Sequence, residues 1–258
     1  MFPPMIPSVP GFARPVVAFL FLLLTVSPLG AAESSSVPPA EVQRRTAAFE
    51  AARKAMAANP EDPALVADFA RTAFDRCEVL AEGPVVEAVS TEAAEACRTS
   101  LKGRPAEARL HYYLGLNLGQ LARTRSLGAL RLVRQMEKAW LTARTLDESF
   151  DFAGADRSLG LLYAECPRPP IGVGSREKAR GHLARAVELA PDHPENRLYF
   201  AEQLVRWGDR EAARNQLASL EKLLPDARRR LTGPDWEPAW VAWDARLATL
   251  RERLSTRR

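Results

Sequence analysis

The sequence predicts an all-α protein, an array of helical hairpins (an α-solenoid) closed by a C-terminal capping helix. Three observations predict it. From residue 41 onward, apolar residues recur with a period near that of an α-helix, in a chain rich in alanine, leucine, arginine and glutamate. Prolines fall at the seams of that pattern, at Pro60, Pro63, Pro84, Pro105, Pro191, Pro194, Pro225 and Pro234. A helix-closing pattern also returns at a fixed interval, Leu183 to Pro191 and again Leu217 to Pro225, 34 residues on. β-branched residues are sparse and never alternate over a useful length, so no sheet is expected.

The 258 residues are 47% hydrophobic and 26% charged, which suits a folded body and argues against a disordered chain. Three cysteines are too few for a disulfide-dense scaffold or a cysteine-rich metal module. The formal net charge is +4.

Residues 1–32 read as a secretory signal peptide. Arg14 precedes an apolar run from Val16 to Leu24, and Gly30-Ala31-Ala32 offers small residues for cleavage before Glu33. The run is short of the ~20 apolar residues a membrane-spanning helix needs. No cysteine stands near the cleavage zone, so the expected product is a soluble periplasmic protein and not a lipoprotein, with no stable membrane span. Residues 33–40 form a polar linker, 41–232 the repeat domain and 233–258 the capping helix. Export places Cys77, Cys97 and Cys166 in an oxidising compartment. A bridge between Cys77 and Cys97 is disfavoured, because an antiparallel helical hairpin would separate them by roughly 15 Å.

The expected helices, in order, are 41–58, 64–80, 84–101, 106–122, 128–146, 153–165, 176–190, 195–206, 210–224 and 236–254. Ala48, Ala52 and Ala55 give the first a small-residue face before Asn59-Pro60. Leu114-Gly115 with Leu118, and Leu159-Gly160 with Tyr163, mark helices on which a glycine lets a neighbour approach closely. Insertions at 123–128 and 166–175 interrupt the hairpins. In the last helix Trp236, Trp240, Trp243, Leu247, Leu250 and Leu254 form one stripe, read as core, with Arg246, Arg251 and Arg253 on the opposite face.

The stretches Leu183 to Pro191 and Leu217 to Pro225 resemble the second helix and closing proline of a tetratricopeptide unit, with Tyr199, Ala201, Leu204 and Ala213 where such a repeat wants packing residues. The stretch Arg157 to Asn196 also resembles bacterial tetratricopeptide proteins of the TRAP-transporter-associated T component type, with its Pro- and Gly-rich loop between two helices. Tyr112-Tyr113-Leu114-Gly115-Leu116-Asn117-Leu118-Gly119 looks like a second signature of that family. The resemblance implies a periplasmic accessory beside the solute-binding protein of an ion-driven importer, with a ligand channel or cavity through the array.

Catalytic motifs are not evident. His111, His182 and His193 lack metal-ligand spacing, and His111 and His193 read as surface or capping residues. Gly172-Val173-Gly174-Ser175 follows no strand and lacks the lysine of a phosphate loop. Asp147, Glu148 and Asp151 read as a helix cap. No enzyme activity, cofactor or metal is expected, and export removes nucleic acid as a partner.

Between Ala108 and Met136 there is no acid, yet Arg109, Arg123, Arg125, Arg131 and Arg134 are present. A solvated face explains this; so does a positive patch for an acidic partner or a carboxylate, which arginine grips bidentately. Tyr112, Tyr113, Asn117, Arg131 and Arg157 are the candidate groove residues, and Pro169 the candidate loop contact. The arginines at 228–230 are a further candidate for an anionic membrane surface. The function expected is a periplasmic adaptor that binds a protein, with a small-solute-binding or channel-forming accessory and an envelope-assembly scaffold as the alternatives.

Overall fold

The computed structural model describes residues 37–125 and 128–256. The expected signal peptide, most of the linker and part of the 123–128 insertion lie outside the described residues.

Among the described residues ten helices follow one another: α1 (Pro39–Ala58), α2 (Pro63–Cys77), α3 (Pro84–Gly103), α4 (Ala108–Thr124), α5 (Ala129–Leu146), α6 (Phe150–Glu165), α7 (Arg176–Leu189), α8 (Pro194–Arg206), α9 (Arg210–Arg230) and α10 (Glu237–Ser255). Proline opens α2, α3 and α8, where its missing N–H costs no helical hydrogen bond. Side chains cap others: Ser175 accepts from Lys178 N at 3.3 Å, and Asp209 from Ala212 N at 3.2 Å.

The helices pair as hairpins α2–α3, α4–α5, α6–α7 and α8–α9. The first helices also pack on one another along the array, α2 on α4, α4 on α6 and α6 on α8, and α10 closes the row on α8 and α9. A first helix is therefore enclosed on several sides, and Tyr112 to Ala122 of α4 are buried without interruption. Close approach depends on the two predicted glycines. A Cβ at Gly115 would stand 2.3 Å from Trp140 Nε1 of α5, and one at Gly160 2.6 Å from Leu183 Cγ of α7. The tryptophan–leucine stripe of α10 is buried throughout.

Three expectations need correction. Pro225 does not end α9, which runs on to Arg230. The extension is held from outside: Ala227 is fully buried and the Arg228 guanidinium lies 4.3 Å over the Trp240 ring. That packing outweighs the one helical hydrogen bond a proline forfeits. Arg246 is not on the outer face of α10. It lies three residues beyond Trp243, at the margin of the buried stripe, and donates to both carboxylate oxygens of Glu202 at 2.9 and 2.7 Å. His193 is not a surface residue; it is 2% exposed.

Cys77, Cys97 and Cys166 are free and buried, and burial pushes each thiol up to about 12. They act as small hydrophobes. Among the described residues, no helix is long and apolar enough to cross a membrane.

Candidate functional site

The most unusual backbone lies at the start of α6. Asp151, Phe152 and Ala153 are consecutively left-handed, with φ of 52°, 54° and 62°. Each such residue without a glycine costs roughly 1–2 kcal/mol. The regular helix begins only after them, one residue beyond the start at 153 that the sequence pattern gives. Asp147, one turn earlier, accepts from Ser149 N at 3.0 Å and Phe150 N at 3.1 Å, so it does serve as the expected turn cap.

Buried polar groups hold the left-handed turn. Arg157, 4% exposed, donates Nη1 to the backbone oxygens of Asp151 at 3.2 Å and Phe152 at 3.3 Å, and to Asn196 Oδ1 at 3.0 Å. Its Nη2 donates to the Asp151 carboxylate at 2.8 Å, which also accepts from the Tyr112 hydroxyl at 2.5 Å. Asn196 Nδ2 donates to the oxygens of Phe152 and Ala186, both at 2.9 Å. Glu195 extends the cluster, 3.5 Å from Arg157 Nε. The His193 ring stacks on Phe152, centroids 4.3 Å apart and 6° from parallel.

Burial raises the Asp151 carboxyl above its ordinary value even though Arg157 pulls it down. Burial lowers His193, which favours the neutral ring. Neither His193 nitrogen has a hydrogen-bond partner, and the approach of Nε2 to Glu195, 3.8 Å, is too long for one.

Above this cluster the turns between hairpins converge on one edge of the array. Ser149, Phe152, Pro191, Asp192, His193, Arg230 and Leu231 help line a cleft of about 270 Å³ there. Its lining mixes apolar and polar side chains, and Asp192 and Arg230, both exposed, lie 3.6 Å apart in it.

The candidate residues from the sequence separate into two groups. Tyr112, Tyr113, Asn117 and Arg157 are buried, and only Tyr112 and Arg157 share a partner, Asp151. Asn117 instead binds the carbonyls of Ala70 and Tyr113, at 2.8 and 2.9 Å. These side chains frame the array from inside and do not face an open groove. Arg131 and Pro169 are exposed and stand apart from them, on α5 and on the 166–175 loop. Sequence reasoning missed Asp151, Glu195 and Asn196 as members of a buried network. The one available signal was the charged Asp192-His193-Pro194-Glu195-Asn196 run at a helix start.

A second buried cluster joins α5, α6 and α7. Asp156, fully buried, accepts from Arg144 Nε at 3.1 Å and lies 2.6 Å from His182 Nδ1. Among the described residues, no group of three or more His, Cys, Asp or Glu side chains could hold a metal ion.

No protein-family model matches the chain, and no curated protein matches it. Among solved structures it is similar to a crystal structure described as TTC0263, a thermophilic TPR protein in Thermus thermophilus. The TM-score is 0.60, with 22% identity, covering 82% of this chain and 92% of that one. The likeness establishes an all-α, tetratricopeptide-like helical-repeat array with a terminal helix.

Proposed function

We propose that the chain is an exported helical-repeat scaffold that holds a protein partner. The observation that carries this reading is the array itself: stacked hairpins on one continuous core, a rigid frame that presents loops and turns. In this reading residues 1–32 are a cleaved signal peptide, 33–40 a linker, 41–232 the repeat domain, and 233–258 the cap.

The resemblance over Arg157 to Asn196 supports a narrower version, in which the partner is the periplasmic solute-binding protein of a TRAP-type importer. The 166–175 loop is the contact. Gly174 N donates to Pro167 O at 2.8 Å and Ser175 N to Tyr163 O at 2.9 Å, so the loop is tied at its base, while Pro169 and Ile171 stay exposed at its tip. The preset shape lowers the entropy lost on binding. Tyr112, Tyr113, Asn117 and Arg157 then act as positioning residues that hold the frame. The cleft at Phe152 and Pro191 supports the second reading, a small-solute site, although its volume lies near the lower end for such sites.

The test places a photo-activated cross-linking residue at Pro169, at Ile171 and, as a control, at exposed Val241, in the full chain expressed in its native host. Cross-linked species are identified by mass spectrometry. A solute-binding protein joined through the loop positions and not through Val241 supports the narrower version. An envelope-assembly protein joined there replaces it with an assembly scaffold. No adduct at either loop position overturns the loop as the contact.

A further inference from the structure

The acid-free arginine stretch divides in two once its partners are seen. Arg123 lies 3.4 Å from both Glu78 and Glu82, and Arg125 2.8 Å from Glu87, so the α4 end of the stretch is neutralised. The run at 228–230 is likewise paired, to Asp244, Asp226 and Asp192. Arg131, Arg134 and Lys138 of α5 have no ion-pair partner among the described residues, and all three are exposed.

They share one face. Leu130, Arg134, Lys138, Leu141 and Thr145 follow at intervals of four, four, three and four residues, with Arg131 one step around the helix. The only acid on α5, Glu137, borders that face but is half-buried, and its carboxylate accepts the Tyr163 hydroxyl at 2.7 Å. Arg98 of α3 adds a fourth cation at the margin, donating to Gln135 at 2.7 Å. Leu130, Leu141 and Leu146 are between 38% and 40% exposed, and they are three of the six large hydrophobic residues exposed among those described. Leu130 and Leu141 are about 16 Å apart along a straight helix.

We propose that the outward face of α5 docks on an anionic lipid bilayer. Charge complementarity selects an anionic surface, and the leucines select a bilayer over a soluble acidic protein. Arginine and lysine reach headgroup phosphates while their stems lie along the acyl boundary. The flanking leucines enter the same boundary layer, as on amphipathic helices that lie in the interface plane. The reading goes beyond the scaffold reading and stands or falls without it, since lipid binding needs no protein partner.

The test is co-sedimentation of the full chain with vesicles of phosphatidylcholine alone, and of phosphatidylcholine with a quarter phosphatidylglycerol. The apolar run Val16 to Leu24 attaches an unprocessed chain independently of lipid charge, so the readout is the anionic preference. Each cation near an anionic surface changes partitioning roughly fivefold. The triple variant Arg131→Glu, Arg134→Glu, Lys138→Glu is expected to lose that preference by about a hundredfold or more. Lys54→Glu, Lys102→Glu, Lys222→Glu makes the same net charge change at exposed positions elsewhere, and is expected to keep it within roughly fivefold. Leu130→Gln with Leu141→Gln should weaken binding several-fold at unchanged charge. Single Arg134→Glu, at an exposed helical site, serves if the triple variant fails to fold. Equal losses in both triple variants, an undiminished double leucine variant, or no anionic preference in the wild-type chain overturns the proposal.

Discussion

Arg157 grips Asp151 twice, by its carboxylate at 2.8 Å and by its backbone oxygen at 3.2 Å, and Asp151 opens the left-handed turn. The two residues are six apart in sequence, and the second sits on the regular helix that the first precedes. The pair thus fixes the angle at which the chain enters α6. Asn196 of α8 completes the hold from the next hairpin. The conformational strain of one repeat is therefore offset by a side chain of its neighbour, which couples α6 to α8.

Arg157→Met should accordingly be among the most damaging single changes. It leaves the Asp151 carboxylate buried with only Tyr112, and the Asp151 backbone oxygen without its Arg157 donor, while the Phe152 oxygen keeps Asn196. Removing one partner of a buried pair costs about 3–5 kcal/mol. Urea unfolding monitored by helical circular dichroism checks this. A loss below about 1 kcal/mol, the scale of a surface pair, would show that Arg157 does not hold the turn.

Gly115→Ala and Gly160→Ala test the close helix approach. Each Cβ would enter space held by Trp140 or Leu183 on the facing helix. Overpacking of this kind costs about 1–3 kcal/mol. Gly181, exposed on α7, has nothing within 4 Å of a built Cβ. Gly181→Ala should therefore stabilise by about 0.5–1 kcal/mol through helix propensity. A common sign for all three would remove the packing argument.

The helices, their order and the capping stripe were legible because each rests on local chemistry: period, proline position and small-residue spacing. Leu114-Gly115 and Leu159-Gly160 also announced which helices would be approached closely. The left-handed turn had no such sign. No glycine stands at 151–153, and its donors come from Arg157 and from Asn196, some forty residues away. The burial of Tyr112, Tyr113, Asn117 and Arg157 was hidden for a related reason. Tyr112 and Arg157 carry binding-type chemistry, but a first helix packed on several sides buries every face, and periodicity does not reveal that. Arg131 and Arg134 look like Arg123 and Arg125 in the sequence; only acids some forty residues away, Glu78, Glu82 and Glu87, separate the paired cations from those with no ion-pair partner among the described residues.

Ala153→Gly reads the strain directly. At a buried right-handed position such as Ala213, change to glycine forfeits a buried methyl and about 1 kcal/mol of helix propensity. Ala153 is equally buried, but its φ of 62° favours glycine. Relief of roughly 1–2 kcal/mol should offset most of the loss, so Ala153→Gly is expected to lie within about 0.5 kcal/mol of the wild-type chain. Ala213→Gly should cost about 1–2 kcal/mol. Equal losses at the two sites would place Ala153 in an ordinary helical conformation.

His193 should make the fold acid-sensitive in a way that can be isolated. Burial lowers its native pKa, so below the unfolded value of about 6.5 the unfolded chain binds a proton that the native chain refuses. Stability is then lost as pH falls from about 6.5 toward the lowered native value. Asp75 works with the opposite sign. Burial pushes its carboxyl up to about 6 against the pull of Arg71, so its contribution is lost as pH rises through that value. A wild-type profile therefore mixes the two, and a variant must separate them. His193→Phe keeps the stack on Phe152 and forfeits no hydrogen bond, so its cost near neutral pH should stay below about 1 kcal/mol. The measurement is the difference in unfolding free energy between wild type and His193→Phe, taken from about pH 7.5 down to about pH 4.5. The difference should shift in favour of the variant as pH falls, while the Asp75 contribution cancels because both proteins carry it. A pH-independent difference would mean that His193 ionises as freely in the native protein as in the unfolded chain, and that the contact with Phe152 does not shield it.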